Sequence, residues 1–149
     1  MSPVARAGAV AVLALAGSGV GAQTPASRAE QDYVLRCQGC HGADGQGAPH
    51  KVPAIRESLP KLMRLADGRD FLLRVPGATN SPLTDAELAD VLNWLALRFR
   101  DASSPAELPR FSAADVSAAR RRPLVGVHRQ RRDLAVRMAA AGLASPEDY

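Results

Sequence analysis

Apolar side chains recur at helical spacing through most of the chain, and nowhere do they alternate as a strand would require. The clearest stretch begins at Thr84-Asp85-Ala86-Glu87, where a threonine followed three residues later by glutamate forms a capping box. Leu88, Val91, Leu92, Leu95 and Phe99 then follow on one face, which predicts an amphipathic helix ending near residue 100. Trp94 sits beside that stripe, placed either to close a pocket or to fill a helix crossing. Near the start, Thr24 and Pro25 are an N-cap and a first-turn proline. Ala26, Ala29, Tyr33 and Cys37 continue at spacings of three and four, predicting a helix over 25–40. Tyr33 is expected to pack against the helix that begins at Thr84.

Weaker patterns lie between these two. Leu59, Leu62 and Met63 mark a short helix over 59–65, which Asp67-Gly68 is expected to interrupt. Phe71, Leu72 and Val75 mark another over 69–75, stopped by Pro76-Gly77, and 78–82 reads as a loop. Three glycines and a proline make 42–49 a loop as well. Its glycines suit either a close backbone approach or a plain exposed turn.

Beyond residue 100 the pattern thins. Residues 102–109 read as a proline-containing linker. Ser112 caps a short helix to about residue 122, where Pro123 stops it, and a last helix runs over 128–141 to Gly142. This segment is too sparse in apolar residues to form its own core, so it either packs back on the preceding domain or stays mobile. The organisation expected is a signal peptide at 1–22, one domain at 23–101 and a basic, proline-interrupted helical tail at 102–149.

The first segment has a positive residue, Arg6, a short apolar run over 9–16 and small residues at Val20-Gly21-Ala22 before Gln23. That pattern is a secretory signal peptide, too short to span a bilayer. No later stretch is apolar enough to do so, and no transmembrane anchor is expected after cleavage. The chain of 149 residues carries a formal charge of +4, unevenly spread. Residues 110–137 hold eight arginines against Asp115 and Asp133, whereas 23–100 hold ten basic and nine acidic residues. A charge run of this kind is a solvated face or a docking element. Nucleic acid is not the expected partner of an exported chain; an acidic redox protein or an anionic membrane surface suits the tail better.

The chemistry is concentrated in Cys37-Gln38-Gly39-Cys40-His41, which contains both cysteines of the chain. Two thiols on one helical turn with a histidine directly after them read as a covalent haem c attachment. A redox dithiol would want a βαβ context, and a structural zinc would want four ligands. A local disulfide is also permitted by export. The haem reading outweighs all three.

Three stretches, Cys37-Gln38-Gly39-Cys40-His41-Gly42, Asp44-Gly45-Gln46-Gly47 and Val52-Pro53-Ala54-Ile55, resemble the opening of a class I c-type cytochrome domain. Val91-Leu92-Asn93-Trp94-Leu95 resembles its closing helix, so the likeness covers about residues 25–100. It implies an all-α fold: a small cytochrome c-like helical domain around one covalent haem, followed here by a short helical C-terminal extension. It implies thioethers at Cys37 and Cys40, His41 as proximal iron ligand, and the Pro53 carbonyl as acceptor for the His41 ring. Assembly in the periplasm and single-electron transfer follow from the same likeness, with no catalytic residues. Redox proteins, a dehydrogenase or an oxidase among them, are the implied partners.

The family's usual sixth ligand, a methionine before the closing helix, has no counterpart in Pro76-Gly77-Ala78-Thr79-Asn80-Ser81-Pro82. Met63 is nearest in chain order and stands equally as that ligand or as an adaptable core residue. His50 is tightly leashed to the proximal loop, and His128 and Met138 belong to the tail. A filled sixth position suits electron transfer; an open one would suit a peroxidase or a gas-ligand sensor. A haem subunit docked on a larger dehydrogenase is a further alternative.

Overall fold

The computed structural model describes residues 24–143 apart from Ser103 and Pro105. The proposed signal peptide lies outside the described residues. Eight helices follow one another among the described residues: α1 (Pro25–Arg36), α2 (Gln38–His41), α3 (Ile55–Leu62), α4 (Ala66–Arg74), α5 (Pro76–Thr79), α6 (Asp85–Arg98), α7 (Ala113–Arg120) and α8 (Val127–Ala140). Among the described residues there is no strand, only one isolated antiparallel bridge between Ala48 and Val52. No helix of the described residues is long and apolar enough to cross a membrane.

The capping box forms as its residues dictate. The Glu87 carboxylate accepts from the Thr84 backbone N–H at 2.9 Å, and Thr84 Oγ1 accepts from the Glu87 N–H at 3.2 Å. Downstream, α6 buries Leu88, Val91, Leu92 and Leu95 and crosses α1. Tyr33 and Trp94 meet at that crossing, with ring centroids 5.6 Å apart and planes tilted by 43°. The Tyr33 hydroxyl donates to the Gly42 carbonyl at 2.6 Å, which ties the crossing to the turn after His41.

Four boundaries differ from the pattern-based expectation. The first helix breaks at Cys37, whose φ of −124° ends α1 and starts the one-turn α2. The next helix begins earlier, at Ile55, and tolerates Pro60 inside it. Asp67 and Gly68 lie within α4 and do not interrupt it. Gly68 is there because a Cβ would sit 2.3 Å from the Leu62 carbonyl oxygen, so only glycine lets α4 start against the end of α3. Finally, residues 76–79 form α5, with Pro76 at the first position where its missing N–H costs nothing.

The tail packs back. Phe111, Val116, Ala119, Leu124, Leu134, Met138 and Leu143 are buried and belong to one core with α1, α3, α4 and α6. A fully buried side chain of the size of Leu or Met contributes roughly 2 kcal/mol, which repays ordering of α7 and α8 that their own sequence does not. Ser112 caps α7 through a second capping box with Asp115. Polar ties fix the register. The Asn93 amide donates to the Phe111 carbonyl and its oxygen accepts from the Phe111 N–H, both at 2.8 Å and both buried. Arg69 lies over the Phe111 ring, 4.4 Å from its centroid, and donates to the carbonyls of Pro109 and Arg110.

The arginine run is therefore not wholly a solvated face. Arg120 pairs with Asp85 at 2.6 Å and donates to the Ser81 and Leu83 carbonyls, Arg122 pairs with Asp70, and Arg137 pairs with Asp67. These three arginines hold the tail to the domain.

Replacing Asn93 with alanine should leave the Phe111 N–H and C=O buried without partners. The expected loss is on the order of 3 kcal/mol, read by urea denaturation of the full chain. A change below about 0.5 kcal/mol would show that the pair does not hold the tail.

Candidate haem-binding site

The site begins where α1 stops. Cys37 is half-buried at the break, and α2 carries Cys40 and His41 on its single turn, so the two thiols and the imidazole emerge close together. Both thiols are free. Burial pushes the Cys37 thiol above its ordinary range, and the neighbouring Asp32 and Cys40 push it further the same way.

The loop that follows is folded around His41. The Gly47 N–H donates to the His41 carbonyl at 2.8 Å, and Ala48 and Val52 exchange backbone hydrogen bonds at 2.9 and 2.8 Å. This brings the Pro53 carbonyl to 3.2 Å from His41 Nδ1. A carbonyl only accepts, so Nδ1 carries the proton and Nε2 keeps its lone pair. Burial lowers the His41 pKa, against the raising effect of the Pro53 bond, so the ring is neutral at neutral pH. A neutral imidazole with one nitrogen fixed by a backbone carbonyl is in the state a metal ligand needs.

Gly47 makes this arrangement possible. Its φ is +67°, and a Cβ there would lie 2.3 Å from the Val52 carbonyl oxygen and 2.6 Å from that of Pro53. The close-approach role of the loop glycines thus prevails over the plain-turn alternative at this position.

Cys37, Cys40 and His41 open onto a cavity of about 330 Å³. Val52, Pro53 and Ile55 line it from the loop, Leu59 and Leu62 from α3, Phe71, Leu72 and Val75 from α4, Ala78 from α5, and Val91, Leu92 and Leu95 from α6. The charged residues of its wall are Arg36, Lys51 and Arg131, all basic. An apolar slot with basic groups at its boundary fits a flat apolar macrocycle that carries carboxylates on one edge. Two thiols and a neutral imidazole on one wall fit its covalent attachment and ligation. Haem c therefore fits the residues present.

Four of the residues singled out from the sequence, Cys37, Cys40, His41 and Pro53, come together at this cavity. Met63 does not. It is 3% exposed, and its Sδ lies 3.7 Å from Arg69 Nη1, on the side of α4 that meets the tail. The core-residue alternative describes its surroundings: the break after α3 turns its side chain toward Arg69 and away from the slot. Met138 is fully buried in the core but does not line the cavity, and His50 and His128 are exposed. Arg56, Arg64, Arg69 and Arg74 do not line the cavity either. Sequence reasoning missed Arg131. The signal was present in the spacing of Val127, Arg131, Leu134 and Met138, which places all four on one helical face.

With this geometry in hand, comparison with known proteins gives two relatives. The chain is similar to a cytochrome c-552 of Thermus thermophilus, 28% identical over 107 residues, covering 60% of this chain and 82% of that protein. A second cytochrome c-552, from a strain of the same species, is likewise 28% identical over 107 residues, covering 60% of this chain and 72% of that protein. No family model matches, and no solved structure does.

Substituting Gly47→Ala should displace the Pro53 carbonyl and free the His41 ring. The expected outcome is a stability loss of about 2 kcal/mol or more from backbone strain, with a changed Soret spectrum in haem-loaded protein. An unaltered spectrum would mean that the loop does not orient His41.

Proposed function

We propose that this chain is a monohaem c-type cytochrome of the class I type that carries single electrons between redox proteins in the periplasm. The observation that carries the reading is the convergence of Cys37, Cys40, His41 and the Pro53 carbonyl on one apolar cavity. The similarity to two proteins named cytochrome c-552 supports it. The signal-like segment at 1–22 supports export.

Cys37 and Cys40 would hold haem c by thioethers, and His41 Nε2 would ligate its iron. Bound there, haem c supplies a one-electron iron couple. The protein's own part is to tune and shield it. Pro53 fixes the imidazole and raises its basicity through the Nδ1 hydrogen bond. The apolar walls from α3, α4 and α6 keep water out, so a positive charge gained at the site on oxidation is poorly solvated. Arg36 and Lys51 would offset the charge of carboxylates at the slot's edge. Arg129 and Arg132 are exposed on the same helix as Arg131, and this positive face suits an acidic partner, a dehydrogenase or oxidase domain among the candidates.

Intact mass tests the attachment. Chain exported in a host with haem-maturation machinery should weigh the residues from Gln23 onward plus one haem. Cys37→Ser with Cys40→Ser should return the bare polypeptide. Apoprotein mass for the unmodified chain would overturn the reading. His41→Ala should keep the thioethers but change the spin state, and an unchanged spectrum would assign proximal ligation to another residue.

A further inference from the structure

Part of the haem cavity is closed by residues from beyond the first hundred. Val127 and Arg131, one turn apart on α8, line the slot that Cys37, Cys40 and His41 open onto. Farther along the same face, Leu134 and Met138 are buried in the core at 3% and 0% exposure. That burial anchors α8, and the Arg137–Asp67 pair at 3.0 Å pins its last turn to α4. Arg131 is therefore held at the cavity by the fold and is not a free surface charge.

The placement of the chain's other methionines and histidines gives this position a consequence; Tyr33, which also lines the cavity, gives its hydroxyl to the Gly42 carbonyl. From Gln23 onward, the methionines and histidines other than His41 are Met63, Met138, His50 and His128. Met63 sits against Arg69, Met138 lies in the core, and both histidines are exposed; none of the four lines the cavity. The short helix α5, which precedes the closing helix α6, contributes Ala78 to the wall, a residue with no donor atom.

We infer that the iron's sixth position is kept for a small exogenous ligand, a diatomic molecule or anion such as cyanide, and that Arg131 is the residue that binds its outer atom. This rests on the haem reading above. Arginine donates and never accepts at neutral pH, so it favours ligands that carry negative charge away from the metal-bound atom. In an apolar slot such a charge-assisted hydrogen bond is stronger than in water. Val127 adds apolar surface beside it. The tail is then the lid of a ligand pocket and not an appendage.

The test uses full-length mature protein whose mass shows one haem. Ferric protein is titrated with cyanide, and ferrous protein is exposed to carbon monoxide. Both should bind without denaturation. Arg131→Leu should weaken cyanide roughly tenfold or more and shift the carbon monoxide stretching band, and Arg131→Lys should recover part of each. Met63→Leu and Met138→Leu should change neither. A native protein that refuses both probes overturns the inference, as does a Met63→Leu variant that gains binding the native protein lacks. If Arg131→Leu leaves affinity and band unchanged, Arg131 serves the carboxylate edge of the cofactor and not the ligand. Protein without covalent haem overturns the cofactor reading and this one together, and the mass measurement tells that case from the others.

Discussion

The hydrogen bond between His41 Nδ1 and the Pro53 carbonyl is the contact on which the site depends. It does three things at once. It selects the tautomer that leaves Nε2 with a lone pair, it fixes the plane of the ring, and it closes the loop that forms one wall of the cavity. The cost of making it is backbone shape: residues 42–53 must double back within a short distance, with Gly42, Gly45, Gly47 and His50 at positive φ and Gly47 pressed against the Val52 and Pro53 carbonyls. The Ala48–Val52 bridge is the remnant of regular structure that holds the turn.

A second constraint follows from size. A chain this short that keeps an apolar slot open through its middle forfeits part of its own core. The tail compensates. Phe111 is locked to Asn93 of the closing helix, and Val116, Ala119, Leu134 and Met138 add buried surface to the shared core. Arg69, Arg74, Arg120 and Arg122 then satisfy carbonyls and carboxylates across the junction. Three arginines of this segment, Arg120, Arg122 and Arg137, thus go into pairing with the domain, while Arg110, Arg121, Arg129 and Arg132 are exposed.

The same docking changes what the cavity can do. A cytochrome whose axial methionine lies before the closing helix has its iron filled by local sequence. Here Ala78 lines that part of the wall, Met63 faces Arg69, and a guanidinium from far along the chain borders the slot instead. With a haem held at this cavity, electron transfer and small-ligand binding would both be chemistry of its iron, and the surrounding wall would tune each.

Several features were determined by the sequence alone. The haem motif at Cys37-Gln38-Gly39-Cys40-His41, the Thr84 and Ser112 caps and the α6 stripe are local: each depends on side chains within one or two turns, so spacing reveals them. The all-α class followed from the same periodicity. Boundaries were less legible where a neighbour overrides propensity. Gly68 reads as a breaker but is required by the Leu62 carbonyl, and the helix through Cys37 breaks although its pattern continues. The part of the cavity wall that α8 contributes was not legible at all. Met63 and Arg131 are 68 positions apart, and which one meets the slot depends on how α4 and α8 pack. That is a matter of burying Phe111, Leu134 and Met138 together, and only the tertiary structure decides it.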